Sequence, residues 1–414
     1  YVLLSGGLLL FGGRLADLFD RRRMFLTGLA LFTIASMASG FAVTPLMLVV
    51  SRAVQGAGAA MLTPAAMSIV MTSYAGRQRT TALAVWGTIG SMGIAAGVLF
   101  GGILTTALGW QAIFFINVPI GVAVSALTLR SVARGQSSAN VRGLDVSGAV
   151  TAVGGLLSLV WAIESTNSDG WAADRTLLGF GAAAVLLAAF AVIETKASTP
   201  LVPPSTWRIR SLVSASTVMA VITGAVVGAI FLSSLFLQQV LGSSAIVTGL
   251  EFLPLAFFIT VAAAIASKLL PKVGAKALMM VGLFIVAAGT AILAGVGADP
   301  GYWTDVLPGF VVMGLGVGPM FVAISVAAMS GIPHEQSGLA SGLMMTGHEV
   351  GAALGVASLT AVAGDLTTRS GLIDGIPAAF AAISIAMVVL AGFTALAVPR
   401  TKLPAGAATG HGMH

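Results

Sequence analysis

Cysteine is absent from the 414 residues, which excludes disulfides, thiol nucleophiles and thiolate metal sites together and leaves the redox compartment open. Charge is almost as scarce. Asp, Glu, Lys and Arg make up 8% of the chain, against roughly 25% in an ordinary soluble domain, too little to cover the surface of a soluble protein of this length. The alternation of apolar and polar residues that marks an outer-membrane barrel is also missing, since runs such as Gly179 to Ile193 are apolar throughout. No phosphate-binding Gly-Lys loop, metal-ligand cluster or catalytic dyad is present, so neither an enzyme nor a bound cofactor or metal is expected. No cleavable signal pattern opens the chain. It begins with Tyr1 inside an apolar stretch and without an initiator Met, and the natural N-terminus is therefore expected further upstream.

What remains is apolar. Hydrophobic residues make up 57% of the chain and 52 positions are glycine, with a mean hydropathy of +1.02, a composition that requires lipid as its solvent. At about 20 residues per spanning helix plus short loops, the length holds roughly 13 or 14 spans. Apolar runs between charged or Pro/Gly-rich breaks give candidates near 1–12, 24–43, 45–70, 81–107, 112–130, 144–163, 177–194, 213–240, 247–268, 276–297, 305–330, 339–363 and 376–398. If the first ends at the cytoplasmic face, the segments on that side collect 17 of the 20 Lys and Arg residues. Arg175 and Arg369 fall opposite, among Asp169, Asp174, Asp299, Asp305, Asp365 and Asp374. This is the asymmetry of the positive-inside rule, and it places the tail after Pro399 in the cytoplasm. Because the basic residues are spread over seven short segments, a nucleic-acid partner is not expected.

Arg52 is the residue left over from that partition. A guanidinium inside a span costs on the order of 3 kcal/mol unless it faces protein or water. Helical spacing sets it on a stripe with Leu48, Gln55, Gly56, Ala59 and Thr63, expected to face a central cavity, where Gln55 and Thr63 add hydrogen-bonding groups. The alternative is a structural arginine bonded to carbonyl oxygens of neighbouring helices. Glu349 lies well inside 339–363 on a face with Gly342, Met345 and Thr346. A desolvated carboxyl binds a proton near neutral pH and releases it when water or a cation arrives, so Glu349 is the leading titrating group. His348 also titrates near neutrality, and helical spacing turns it about 100° away, toward Gly351 and Gly355. Glu251, near the outer end of its span, is a candidate to attract cationic substrates or a solvated surface acid; Glu164 belongs to the same class. Met345, with Met313, Met320, Phe321 and Met344, is a candidate lining of a plastic pocket. Gly93, Gly97, Gly101 and Gly102 have the spacing of close helix packing. A faint internal repeat aligns Gly13 to Arg22 with Ser267 to Lys276, as in carriers built from duplicated halves.

Gly13-Arg-Leu-Ala-Asp17 followed by Arg21, Arg22 and Arg23 resembles the signature loop of the major facilitator superfamily, with Leu18 and Asp20 where the family usually has Arg and Gly. Further matches follow in order. Arg52 to Gly58 resembles the buried-arginine motif and Gly93 to Gly102 the glycine-rich antiporter motif, with Val98 in place of the usual Pro. Trp110-Gln-Ala-Ile-Phe-Phe-Ile-Asn117-Val-Pro-Ile-Gly121 and Gly338 to Leu343 are similar to segments of the fourteen-span drug:proton antiporter branch.

That resemblance implies an all-α membrane protein with two pseudo-symmetric six-helix bundles and two extra helices between them. It implies an N-terminal bundle at 1–130 lacking its first span, an inserted pair within 131–212 at 144–163 and 177–194, a C-terminal bundle at 213–398 and a cytoplasmic tail at 399–414. It also implies proton coupling through Arg52 and a helix at Gly93 to Gly102 that seals against proton leak. Asp17 with Arg21 and Arg22, after Gly13, reads as a conformational latch pairing across the halves in one state. The expected activity is proton-driven export of hydrophobic or cationic small molecules across the plasma membrane by alternating access, with oligomeric state left open. A metabolite importer or facilitator of the same superfamily, or a receptor or assembly protein that keeps the fold without transport, remains as an alternative.

Overall fold

A computed structural model describes residues 1–74, 100–133, 145–297, 300–330 and 337–399, with the isolated positions 78, 93 and 97. The side chains of Arg14, Asp17, Leu18 and a few other positions lie outside that description. No strand occurs among the described residues, and ten of their helices are long and apolar enough to cross a membrane.

The first half comprises α1 (Val2–Leu18), α2 (Arg21–Gly40), α3 (Pro45–Ser73), a helical stretch at 100–108, the short α4 (Ala112–Phe115) and α5 (Asn117–Ser131). Local chemistry explains their limits. Thr44 caps α3, its Oγ1 accepting from the Met47 N–H at 3.2 Å, and Pro45 takes a first-turn position where it needs no donor. The expected loop at 13–23 is mostly helix: α1 runs to Leu18, and Asp20 caps α2 by accepting from the N–H groups of Arg22 and Arg23 at 2.8 and 3.3 Å. The expected span at 112–130 is found as Ala112–Ser131, with a turn at Ile116.

Helices α6 (Val146–Asp169) and α7 (Asp174–Lys196) pair as a hairpin. At its base Asp145 caps α6 through the Gly148 N–H at 2.7 Å. The buried Glu194 holds the next turn by accepting from the N–H groups of Leu201 and Val202 at 3.2 and 3.0 Å.

The second half comprises α8 (Arg210–Leu235), α9 (Ala245–Glu251), α10 (Leu253–Val273), α11 (Ala275–Ala294), α12 (Leu307–Met329), α13 (Ser337–Ala363) and α14 (Arg369–Ala397). Two π-turns, Phe236–Val240 and Tyr302–Val306, end α8 and begin α12.

The two halves repeat their pairings. In the first, α2 packs on α3, α1 on α3 and α2 on α5; in the second, α11 packs on α12, α10 on α12 and α11 on α14. The aligned residues Arg22 and Lys276 perform the same act. Arg22 Nη2 donates to the Leu129 carbonyl near the end of α5 at 2.7 Å, and Lys276 Nζ donates to the Ala395 carbonyl near the end of α14 at 2.6 Å. Each cation satisfies a helix C-terminus, and the repeat faint in sequence is a repeated contact in space.

The halves meet where α1 packs on α13, and the hairpin leans on both through α6. Glycine sets the closest approaches: a methyl group on Gly6 would meet Glu349 Cβ at 2.5 Å, and one on Gly7 would meet Val153 Cγ2 of α6 at 2.8 Å. The largest contiguous core lies in the second half, around Phe310, Met313 and Met320.

Candidate functional site

Arg52 lies seven residues into α3, about 10 Å from the helix start at 1.5 Å per residue. It is half-buried, and its Nη1 donates to the Oε1 of the buried Gln55 at 2.5 Å. The guanidinium carbon stands 4.3 Å from the centre of the Tyr1 ring and 5.4 Å from that of Phe114. Among the described residues it bonds to no neighbouring carbonyl and forms no ion pair.

The two rings are placed by separate means. Tyr1 arrives with α1, whose first carbonyl is pressed against Gly56, while Gly12 further along meets the backbone of Ala60. Phe114 arrives with the turn in the 112–130 region. Ser36 Oγ donates to the Phe114 carbonyl at 3.0 Å, and Asn117 Nδ2 donates to Ser36 Oγ at 3.0 Å and to the Ile113 carbonyl at 3.3 Å. The Trp110 to Gly121 segment thus docks on α2 and hangs an aromatic ring over the arginine of α3. Sequence reasoning picked out Arg52 and Gln55 but neither ring, and the available signal was the unexplained Asn117.

Glu349 faces α1 from the other side, half-buried opposite Gly6. His348 does not point away from it: His348 Nδ1 and Glu349 Oε1 are 3.5 Å apart. A side chain several bonds long crosses the angle that helical periodicity puts between adjacent Cα atoms. The opposite side of His348 meets the Phe321 ring of α12, 6.2 Å between centroids. Gly351 and Gly355 instead receive the backbone of α8 at Ala220 and Gly224. His348 Nδ1 and Thr346 Oγ1 are sealed from solvent without hydrogen-bond partners among the described residues. Tyr1 stands within electrostatic reach of both Arg52 and Glu349. Met345 and Thr63 are half-buried on the same two helices, whereas Met313 and Met320 are core residues, 1% and 0% exposed.

The other candidates fall elsewhere. Glu251 closes α9 at one end of the second half. Its Oε1 accepts from Ser243 Oγ at 3.1 Å, its carbonyl accepts from Tyr302 Oη at 2.8 Å, and its Oε2 is sealed without a partner among the described residues. An apolar cavity lined by Ser233, Phe236, Leu293, Val306, Pro377 and Phe380 lies in the same bundle and contains no candidate residue.

Of the residues expected to form a latch, Gly13 lies within α1 near Pro64 of α3, Arg21 is exposed, and Arg22 bonds to α5 of its own half; the Asp17 side chain lies outside the described residues. Among the described residues, nothing stands within 4 Å of a methyl group on Gly93, Gly97 or Gly101. One on Gly102 would meet the Ala245 carbonyl at 2.5 Å, a close approach to the second half. Val98 lies outside the described residues.

A helical, multi-pass membrane protein of two repeated halves, with charged side chains on the helices that flank α1 at their seam, defines a carrier-type membrane protein. Its sequence matches the family model of the Major Facilitator Superfamily over residues 1–356 and 256–411, and the chain belongs to that family. It is 36% identical to the cephamycin export protein CmcT of Amycolatopsis lactamdurans over 95% of this chain and 82% of that protein. It is 35% identical to the puromycin resistance protein pur8 of Streptomyces alboniger over 87% and 72%. The fold is similar to the crystal structure of the human organic anion transporter MFSD10 (TETRAN), with a TM-score of 0.63 at 13% identity, covering 95% of this chain and 81% of that one.

Proposed function

We propose that this chain is a proton-coupled exporter of drug-like, hydrophobic or cationic small molecules, of the fourteen-span branch, working by alternating access in the plasma membrane with its C-terminus in the cytoplasm. One observation carries the reading most directly: a permanently charged Arg52 and a Glu349–His348 pair face α1 from opposite sides, at the contact between the two halves. A proton taken up by the pair changes the charge at that contact, and a charge change at a contact between two rigid bodies biases which side opens. The apolar surroundings suit hydrophobic substrates, and relatives named for export and resistance support the outward direction. The hairpin α6–α7, additional to the repeated helices, supports the fourteen-span assignment.

The test is accumulation of a fluorescent lipophilic drug in inverted vesicles with an imposed inside-acid gradient. Uncoupler-sensitive accumulation is expected, and Glu349→Gln is expected to reduce it to the level of the uncoupled control. Undiminished gradient-driven accumulation in Glu349→Gln removes that residue from the mechanism.

A further inference from the structure

Arg52 of α3 and Glu349 of α13 are opposite charges on two helices that both pack against α1, yet they form no ion pair. That separation has chemical weight. A guanidinium in direct contact with a carboxylate lowers the carboxylate's pKa by about 1–3 units, which would keep Glu349 ionised across the physiological range and unable to trade protons. The group that occupies Arg52 instead is the ring of Tyr1, 4.3 Å from the guanidinium carbon, with Phe114 at 5.4 Å and Gln55 as acceptor. An aromatic face is among the few partners that hold a desolvated cation without supplying a formal negative charge.

We propose that Tyr1 is a positioning residue for proton coupling: its ring holds Arg52 away from Glu349, so that Glu349 remains free to titrate. The proposal rests on the reading of Glu349 as the coupling carboxyl. Three features support it. Gly56 is closed upon by the Tyr1 carbonyl and Gly6 meets Glu349 Cβ, so one short stretch of α1 touches the arginine helix and the carboxylate helix together. Tyr1 is braced from behind by the Phe32 ring of α2, edge-on at 6.5 Å. Its hydroxyl feels the charge of both Arg52 and Glu349. The titratable groups around it are Arg52 from α3 and His348 and Glu349 from α13. Helices α2 and α4 present Phe32 and Phe114, and α6 carries Glu164 exposed near one end.

The experiment compares wild type, Tyr1→Phe, Tyr1→Leu and Glu349→Gln in the full-length protein, in two measurements. The first is gradient-driven drug accumulation across a pH series. The second is an infrared titration of the Glu349 carboxyl band, identified by its absence in Glu349→Gln, which needs no transport. Tyr1→Phe keeps the ring and is expected to follow wild type in both. Tyr1→Leu frees Arg52, and the carboxyl midpoint is expected to fall by about one unit or more, with the transport profile moving to acid pH alongside it. A wild-type midpoint in Tyr1→Leu, or an equal shift in Tyr1→Phe, overturns the role of the ring. If Glu349→Gln transports normally, it is the coupling assignment of Glu349 that fails, and the infrared midpoints still report on whether Tyr1 separates the two charges.

Discussion

Asn117 Nδ2 bridges Ser36 Oγ and the Ile113 carbonyl, and through Ser36 it fixes the Phe114 carbonyl. Removing it leaves a half-buried hydroxyl and carbonyl to find new partners in apolar surroundings. Asn117→Ala is therefore expected to cost about 1–2 kcal/mol of stability, read as a lowered thermal midpoint in detergent, and to loosen the Phe114 ring over Arg52. Asp365, in the turn between α13 and α14, is held differently. Its oxygens accept from the Thr367 N–H at 2.8 Å, Thr367 Oγ1 at 2.6 Å and Thr368 Oγ1 at 2.7 Å. These bonds to the ionised form push its pKa down to about 2. A depressed carboxyl stabilises its turn above the unfolded pKa of about 4 and loses that effect as pH falls toward the folded value. The turn and the first amides of α14, Gly371 included, are expected to gain hydrogen-exchange rate between about pH 4 and about pH 2 relative to the rest of α14, after correction for intrinsic exchange; a flat ratio contradicts the assignment.

Among the elements, the sharpest contrast is between glycines that look alike in sequence. Gly355 of α13 sits directly on Gly224 of α8, backbone to backbone, whereas Gly97, among the described residues, has nothing within 4 Å of where a side chain would begin. Gly355→Ala must push two helices apart and is expected to cost about 1–3 kcal/mol. Gly97→Ala relieves a helix of its least favourable residue and is expected to be neutral or to stabilise by up to about 1 kcal/mol. Thermal midpoints of the two single variants check both signs. Small-residue spacing was legible in the sequence at both places. Which stripe meets a neighbour was not, because periodicity gives a face without saying what stands opposite it. The same limit explains the signature loop: the basic cluster announced a turn between spans, but the partner of Arg22, the carbonyl of Leu129, is brought to it by the packing of α2 on α5.

For the whole molecule, the hairpin α6–α7 is placed where the halves meet, with Val153 against Gly7. A Cβ on Gly7 would lie 3.7 Å from that of Val153, within the range for a disulfide. These 414 residues contain no competing cysteine. The double variant Gly7→Cys, Val153→Cys is expected to cross-link under mild oxidation, seen as protection from a thiol-directed mass label. Free thiols in that variant would place the hairpin elsewhere. Continued drug export after cross-linking would show that α6 travels with α1 during the transport cycle.

The sequence by itself determined the solvent and most of the spans, because hydropathy is a sum over many residues and tolerates local error, and its charge partition set the orientation to be expected. It also singled out Arg52 and Glu349, since a charge inside an apolar run is visible without any partner. It gave the alignment of Arg22 with Lys276 without showing that both bind helix ends. Only the tertiary structure decided that two aromatic rings surround Arg52, that His348 turns toward Glu349, that Glu251 bonds within one end of one bundle, and that the hairpin lies across the seam. Each of these depends on residues distant in the chain or on the reach of a side chain. Such contacts are fixed by how whole helices pack, which local periodicity does not encode.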